Sequence, residues 1–175
     1  HALLEMETRG ADRTEVRTVT MDMSQSYISG VDENIPQAEI VFDRFHIASK
    51  LNEAVDSIRR EEQKKYKALK GSRYLWLKNN NSLTQEQQEQ VQTLSEAYPN
   101  IGKAYRLREL LREVMNDVVR NCSIEYLDKW TVEAWDSGLE PIRKFVNMLY
   151  DHWYSVEAYF KKIATLVSVK SLLYK

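Results

Sequence analysis

A single cysteine, Cys122, is all the thiol chemistry available to this chain of 175 residues. One cysteine excludes an internal disulfide and a cysteine zinc cluster, and is ordinary for a cytosolic protein. Long apolar runs are lacking as well: none approaches membrane-spanning length, and no basic-then-apolar leader is present. A soluble, cytoplasmic protein with no membrane partner is therefore expected. There is no excess of charge of one sign. The formal net charge is -1, so any affinity for nucleic acid has to come from a local patch. Acidic residues also run out towards the end, with no Asp or Glu after Glu157. With 43% apolar and 29% charged residues, the chain suits one core, or one core plus a helical extension, and is not disordered in composition.

The stretch Val16 to Asn52 organises the rest. Val19-Thr20-Met21 runs into Asp22, and Ile40-Val41-Phe42 runs into Asp43. Each apolar run is too short for a helix and reads as a buried strand. Between them Tyr27, Ile28 and Val31 recur at roughly helical spacing over Gln25 to Asn34, and Ile35-Pro36 breaks the pattern. A strand, a crossover helix and a second strand make a βαβ unit. Its right-handed crossover places both strand ends, and so Asp22 and Asp43, on one edge of the sheet. Two strands alone are marginal. The opening at His1, with Ala2 to Met6 resembling the end of a helix and Gly10-Ala11-Asp12 a turn, points to a start inside a domain.

Beyond Asp43 the period becomes helical. Ile47, Leu51, Ala54, Val55 and Ile58 form one stripe of a long helix starting near Phe45, which Gly71 ends or kinks. Tyr74 to Leu77 form a short apolar turn or helix, and Asn79 to Ser82 a loop. Thr84 with Gln87 makes a capping box for a helix that reaches Tyr98 and is closed by Pro99. Ile101 to Ser123 is a further helix, with Val118 and Val119 among its apolar positions. Another runs from Ile124 to Trp135 and stops near Gly138. Pro141 opens the next, whose buried side is Ile142, Phe145, Val146, Leu149 and Tyr150. Helix continues over Trp153 to Lys162, and Leu166 to Val169 has a strand-like flavour. Trp130, Trp135, Trp153, Tyr154, Tyr159 and Phe160 are expected in the core rather than as a base-stacking platform.

Between positions 59 and 78, eight basic residues (Arg59, Arg60, Lys64, Lys65, Lys67, Lys70, Arg73 and Lys78) stand against Glu61 and Glu62, a local charge of +6. Such an excess suits phosphate contacts, and equally a solvated helix face. Asp22 and Asp43 at strand ends suit a hard divalent ion, but an Asp there is also a common turn or cap residue, and Asp43 can cap the helix from Phe45. His46 lies one turn further on and can hydrogen-bond Asp43 or be a partly buried helix residue. Spacing alone makes a metal-ligand role for His46 the lesser reading.

Val19-Thr20-Met21-Asp22-Met23-Ser24, Tyr27, and Pro36-Gln37-Ala38-Glu39-Ile40-Val41-Phe42-Asp43-Arg44-Phe45-His46 resemble the signature of bacterial insertion-sequence transposases of the ISL-three group. These are DDE enzymes with a ribonuclease H-like core. The likeness continues through Lys50-Leu51-Asn52, Val55-Asp56, Arg59-Arg60, Arg73-Tyr74-Leu75, Leu77-Lys78, Leu83-Thr84, Ala104-Tyr105 and Leu107.

The resemblance implies a mostly helical α/β chain. Residues 1–50 would be a partial ribonuclease H-like core, 51–160 an all-helical insertion and 161–175 an atypical, frameshifted or decayed tail. It implies that Asp22 is the second acid of the triad, on the fourth strand, with Asp43 and His46 matching a supporting Asp-x-x-His element; an alternative alignment makes Asp43 the triad acid. Asp22 and Asp43 would hold Mg²⁺ or Mn²⁺. Arg44, Arg59, Arg60, Lys64, Lys65 and Arg73 would contact DNA. The implied reaction is cleavage and strand transfer on transposon-end and target DNA, by a homodimer associated with the bacterial nucleoid. The first acid is expected upstream of His1. The third, a Glu in a Glu-Gly-x-Asn context after Thr165, is not found, since Val167 to Lys175 contains neither Glu nor Gly. Inactivity of this chain alone is the expected result. Two other readings remain open: a helical interaction module without catalysis, and a hydrolytic nuclease of the same fold.

Overall fold

The computed structural model describes residues 12–116 and 123–162. Within them β1 (Thr18–Met21) and β2 (Glu39–Phe42) pair in parallel, in the register Thr18 to Glu39 and Met21 to Phe42. The crossover is α1 (Gln25–Asn34). Its last turn closes with the Ile35 amide donating to the Val31 carbonyl at 2.8 Å, after which Pro36 keeps Ile35 out of helical geometry. The βαβ unit expected from the two apolar runs is therefore present. Among the described residues the sheet has these two strands only.

Helix α2 (Arg44–Lys65) is the spine. Its stripe Ile47, Leu51, Ala54, Val55 and Ile58 is buried as the spacing requires. The helix stops at Tyr66, short of Gly71; a 3-10 turn over Lys67–Leu69 and a left-handed Gly71 (φ 80°) follow. Stopping there lets the chain double back, so that Leu69, Leu75 and Trp76 enter the core instead of running past its end. Trp76, on α3 (Arg73–Leu77), donates its indole N–H to Ser72 Oγ at 2.9 Å, and that hydroxyl donates to the Leu69 carbonyl at 2.7 Å.

The Thr84 and Gln87 capping box forms and opens α4 (Gln85–Ala97). Pro99 both ends the preceding pattern and starts α5 (Pro99–Asn116), a position where its missing N–H costs nothing. The two helices cross closely at Gly102, where a Cβ would lie 2.8 Å from the Ser95 carbonyl oxygen and 2.8 Å from its Cβ. Helix α6 (Ser123–Asp136) is locked to α5 by the Trp130 indole N–H donating to the Leu107 carbonyl at 2.8 Å. Gly138 (φ 73°) turns the chain into α7 (Glu140–Asp151), and residues 153–162 form α8.

Helix α2 packs on α3, α5 and α7, and one apolar core runs from Val41 and Phe42 of β2 to Phe160 of α8. Phe42 meets His152 edge-on at 5.1 Å, tying the sheet to the end of α7. Tyr150, expected inside, is 48% exposed. One residue beyond Leu149 it is rotated off the apolar stripe, and its ring stacks on Trp153 at 5.4 Å while its hydroxyl meets Thr131 Oγ1 at 2.9 Å. Trp130, Tyr159 and Phe160 are core residues as expected and Trp153 is half-buried, but Trp135 and Tyr154 are exposed. Trp135 is instead covered on one face by the Arg143 guanidinium, 5.4 Å from the ring centroid. Among the described residues no helix is long and apolar enough to cross a membrane. The Ala2 to Met6 segment, Val118, Val119, Cys122 and the strand-like Leu166 to Val169 lie outside the described residues.

The Gly102 crossing makes a direct test of this packing. Gly102→Ala drives a methyl group into Ser95 backbone and is expected to cost about 1–3 kcal/mol, read as a lower urea midpoint with an unchanged slope.

Candidate active-site edge and basic face

The parallel register fixes where the two strands end. Met21 pairs with Phe42, and the Asp43 amide donates to the Met21 carbonyl at 3.1 Å, so Asp22 and Asp43 leave the sheet side by side. Their surroundings then diverge. Asp22 is half-buried, and its Oδ1 accepts the Ser24 amide at 3.0 Å, a local turn that aims the carboxylate along the edge. Asp43 Oδ1 accepts the Phe45 amide at 2.9 Å, which makes it the N-cap of α2.

Asp22 and exposed His46 line a shared cleft of about 300 Å³ with Ser49, Lys50 and Glu53. Both also border a larger groove of about 880 Å³ that follows the unpaired edge of β1 and is floored by Tyr27, Val31 and Ile35. Asp43 lines neither. It lies instead towards Arg44 and Tyr159 of α8. Burial pushes the Tyr159 phenol above its ordinary pKa; Arg44 opposes that rise and Asp43 adds to it.

Asp22 and Glu53 offer carboxylate oxygens of the kind a hard divalent ion takes, whereas the His46 imidazole suits transition metals better. Among the described residues, however, no three His, Cys, Asp or Glu side chains converge closely enough to hold a metal. Glu53 and Ser49 were not singled out from the sequence, although they follow His46 at i+7 and i+3 and so share its helix face.

The basic segment is divided by burial. Arg60, Lys64, Lys65 and Arg73 are exposed, and Arg44 is half-buried with its guanidinium 5.3 Å from the Phe45 ring centroid. Arg59 is 7% exposed and turns inward. Its Nε donates to Asp56 Oδ1 at 2.8 Å, and it also bonds Gln63. A guanidinium so placed has no reach to an external phosphate. Asp56 is itself 5% exposed and takes Arg60 on its other oxygen at 2.8 Å, with Arg73 3.7 Å away. No sequence signal marks Asp56 as a hub, because Arg73 reaches it only through the turn at Gly71.

Burial raises the Asp56 pKa, but the hydrogen bond from Arg59 and the charges of Arg59, Arg60 and Arg73 outweigh it and hold the carboxyl below its ordinary value. The folded pKa is therefore lower than the unfolded value of about 3.9. The corresponding stability is present above that pH and is lost as pH falls through the folded value. Urea unfolding followed from about pH 5 downward is expected to show this loss in the native chain and a shallower one in Asp56→Asn. Equal pH slopes in the two proteins would count against the hub.

The family model for DDE transposases of the ISL-three group, described as a transposase, matches residues 1–168. The transposase for insertion sequence element IS1001 of Bordetella parapertussis is 26% identical over 151 residues, which cover 82% of this chain and 37% of that relative. The chain thus spans little more than a third of the length of the curated relative it matches. No solved structure matches it. With that family match running through the strand edge and the helices described above, the chain belongs to the ISL-three family of DDE insertion-sequence transposases.

Proposed function

We propose that this chain is the part of a DDE transposase catalytic domain that contributes the second acid and the helical insertion. The observation that carries this reading is the in-register parallel pair that sets Asp22 at a sheet edge, facing a cleft it shares with His46. In this reading Asp22 is a metal-holding acid and His46 orients groups around it. Asp43 is chiefly a positioning residue, because its carboxylate is engaged in capping α2. A divalent ion, when bound, would activate the attacking oxygen and stabilise the leaving one in DNA cleavage and strand transfer. The chain's own residues hold one carboxylate of that site, and the remaining acids come from elsewhere in the longer protein. Further strands of a ribonuclease H-like sheet pair with the free edge of β1, covering the apolar groove along it. The helical stretch from about Leu51 in α2 through α8 is the insertion, and its exposed basic residues meet transposon-end DNA.

The test uses the intact transposase with a transposon-end substrate and Mg²⁺ or Mn²⁺. Asp22→Asn is expected to lower strand cleavage by more than about 100-fold, since even outer partners of metal ligands are worth about 10–100-fold. Asp43→Asn is expected to lose less activity and little stability, because Asn caps a helix about as well as Asp, whereas Asp43→Ala is expected to cost about 1 kcal/mol through the missing cap. The reverse ranking would transfer the triad role to Asp43. Full activity in both asparagine variants would remove the catalytic reading of this edge.

A further inference from the structure

Three guanidiniums converge on one carboxylate at Asp56, and the arithmetic of charge does not close. Arg59 alone satisfies Asp56 Oδ1 from inside the core. Arg60 comes from α2 and Arg73 from the start of α3, and both approach Oδ2 from the solvent side with side chains 67% and 52% exposed. A structural tie between α2 and α3 needs one arginine on one acid. Here three positive charges face one negative charge, which leaves two unbalanced at a single point. Each guanidinium has five N–H donors, and one carboxylate oxygen occupies few of those on Arg60 and Arg73.

The two exposed arginines border a polar cleft of about 480 Å³ with Ser49, Asn52 and Ser57. Its other acid is Glu53, whose carboxylate is paired with Lys50 at 3.1 Å. The cleft therefore presents forked cationic donors beside hydroxyl and amide groups, which is the chemistry that recognises a phosphate. We infer that Arg60 and Arg73, spread by buried Asp56, form a clamp for one backbone phosphate of a nucleic acid. The nucleic-acid source follows from the openness of the cleft and its continuity with the active-site edge: it shares Ser49 and Glu53 with the cleft of Asp22 and His46. His46 and Arg60 lie on the same helix, about 21 Å apart at about 1.5 Å per residue. A strand following this face would have the clamped phosphate about six nucleotides from the one at the Asp22 edge, at about 3.4 Å per nucleotide. The inference rests on the DNA-processing reading above and assigns Arg59 to the scaffold rather than the surface.

Duplex binding by the full chain, measured by fluorescence anisotropy across a salt series, tests it. One phosphate contact contributes about 0.9 to the slope of log K against log salt. Arg60→Gln, Arg73→Gln and the double variant are each expected to lower the slope by about that amount, because all three abolish the same contact. A double variant with an unchanged slope, or with twice the loss of either single variant, overturns the clamp. Arg60→Lys with Arg73→Lys keeps the charge around Asp56 and guards against misfolding of the glutamine variants; it is expected to hold the slope while weakening binding about tenfold through loss of the forks. No weakening would also overturn the proposal. Inorganic phosphate separates the two layers of the argument. If the native chain shows no salt-dependent duplex binding but phosphate shifts the Arg60 and Arg73 Nε–H resonances, the anion site survives and the DNA reading fails. If neither probe binds, both fail.

Discussion

The interaction on which the rest depends is the burial of one stripe of α2. Ile47, Leu51, Val55 and Ile58 are all at most 4% exposed, and burying each aliphatic side chain is worth about 1.5–3 kcal/mol. A helix of this composition has no such stability alone; it exists because α3, α5 and α7 cover the stripe. The strands are fixed by the same element. Asp43 is at once the residue after β2 and the cap of α2, so the sheet edge and the start of the helix cannot move independently. Whatever chemistry Asp22 and His46 perform is therefore held in place by packing against the helical layer.

Buried polar groups then decide how the layer is locked. Arg108 of α5 is 7% exposed, and its guanidinium reaches Asn52 of α2 and the carbonyls of Leu77 and Lys78 that end α3. Those carbonyls are the unpaired acceptors of a helix C-terminus, and one planar fork satisfies them while joining three elements. Burial pulls the Arg108 pKa down, and adjacent Glu109 opposes the fall. Tyr105, one turn earlier, shows the cost of the same environment: burial, then Glu109, push its phenol up to about 12. Its ring meets Trp76 edge-on at 5.7 Å, so the residue is held by packing rather than by its hydroxyl.

Much of this was legible in the chain because it is local. The strand ends, the α2 stripe, the Thr84 capping box and the start of α7 all follow from periodicity or from a cap a few residues away. What escaped is tertiary. The stop at Tyr66 depends on where Leu69, Leu75 and Trp76 find a core, and no residue before Gly71 announces it. The apolar character of Trp135 and Tyr154 points inward, whereas both are exposed and a guanidinium over Trp135 serves in place of burial. At the site, the crossover points to Asp22 and Asp43 sharing one edge, but it is His46 and not Asp43 that lines a cleft with Asp22, because the Asp43 carboxylate turns to cap α2. The inward turn of Arg59 could not, because Arg59 and Arg60 are consecutive basic residues and only the position of Asp56 separates them.

That separation rests on tertiary packing as well as on the helix period. On α2 the core stripe at positions 47, 51, 55 and 58 leaves 46, 49, 50, 53, 57 and 60 on the open side and Arg59 at the flank of the stripe, while Asp56, nearly opposite the stripe, is buried with Arg59, Arg60 and Arg73 gathered around it. A buried charge pair is tolerated only if it is mutually satisfied, and the inner arginine accordingly donates its Nε–H to Asp56 Oδ1. The outer arginine is then set by the same acid but keeps donors facing solvent. One rigid helix thus carries the sheet-edge histidine at its first turn and the exposed arginine near its last. With no proline or glycine between them to bend it, the spacing of the two is fixed by the rise of the helix itself.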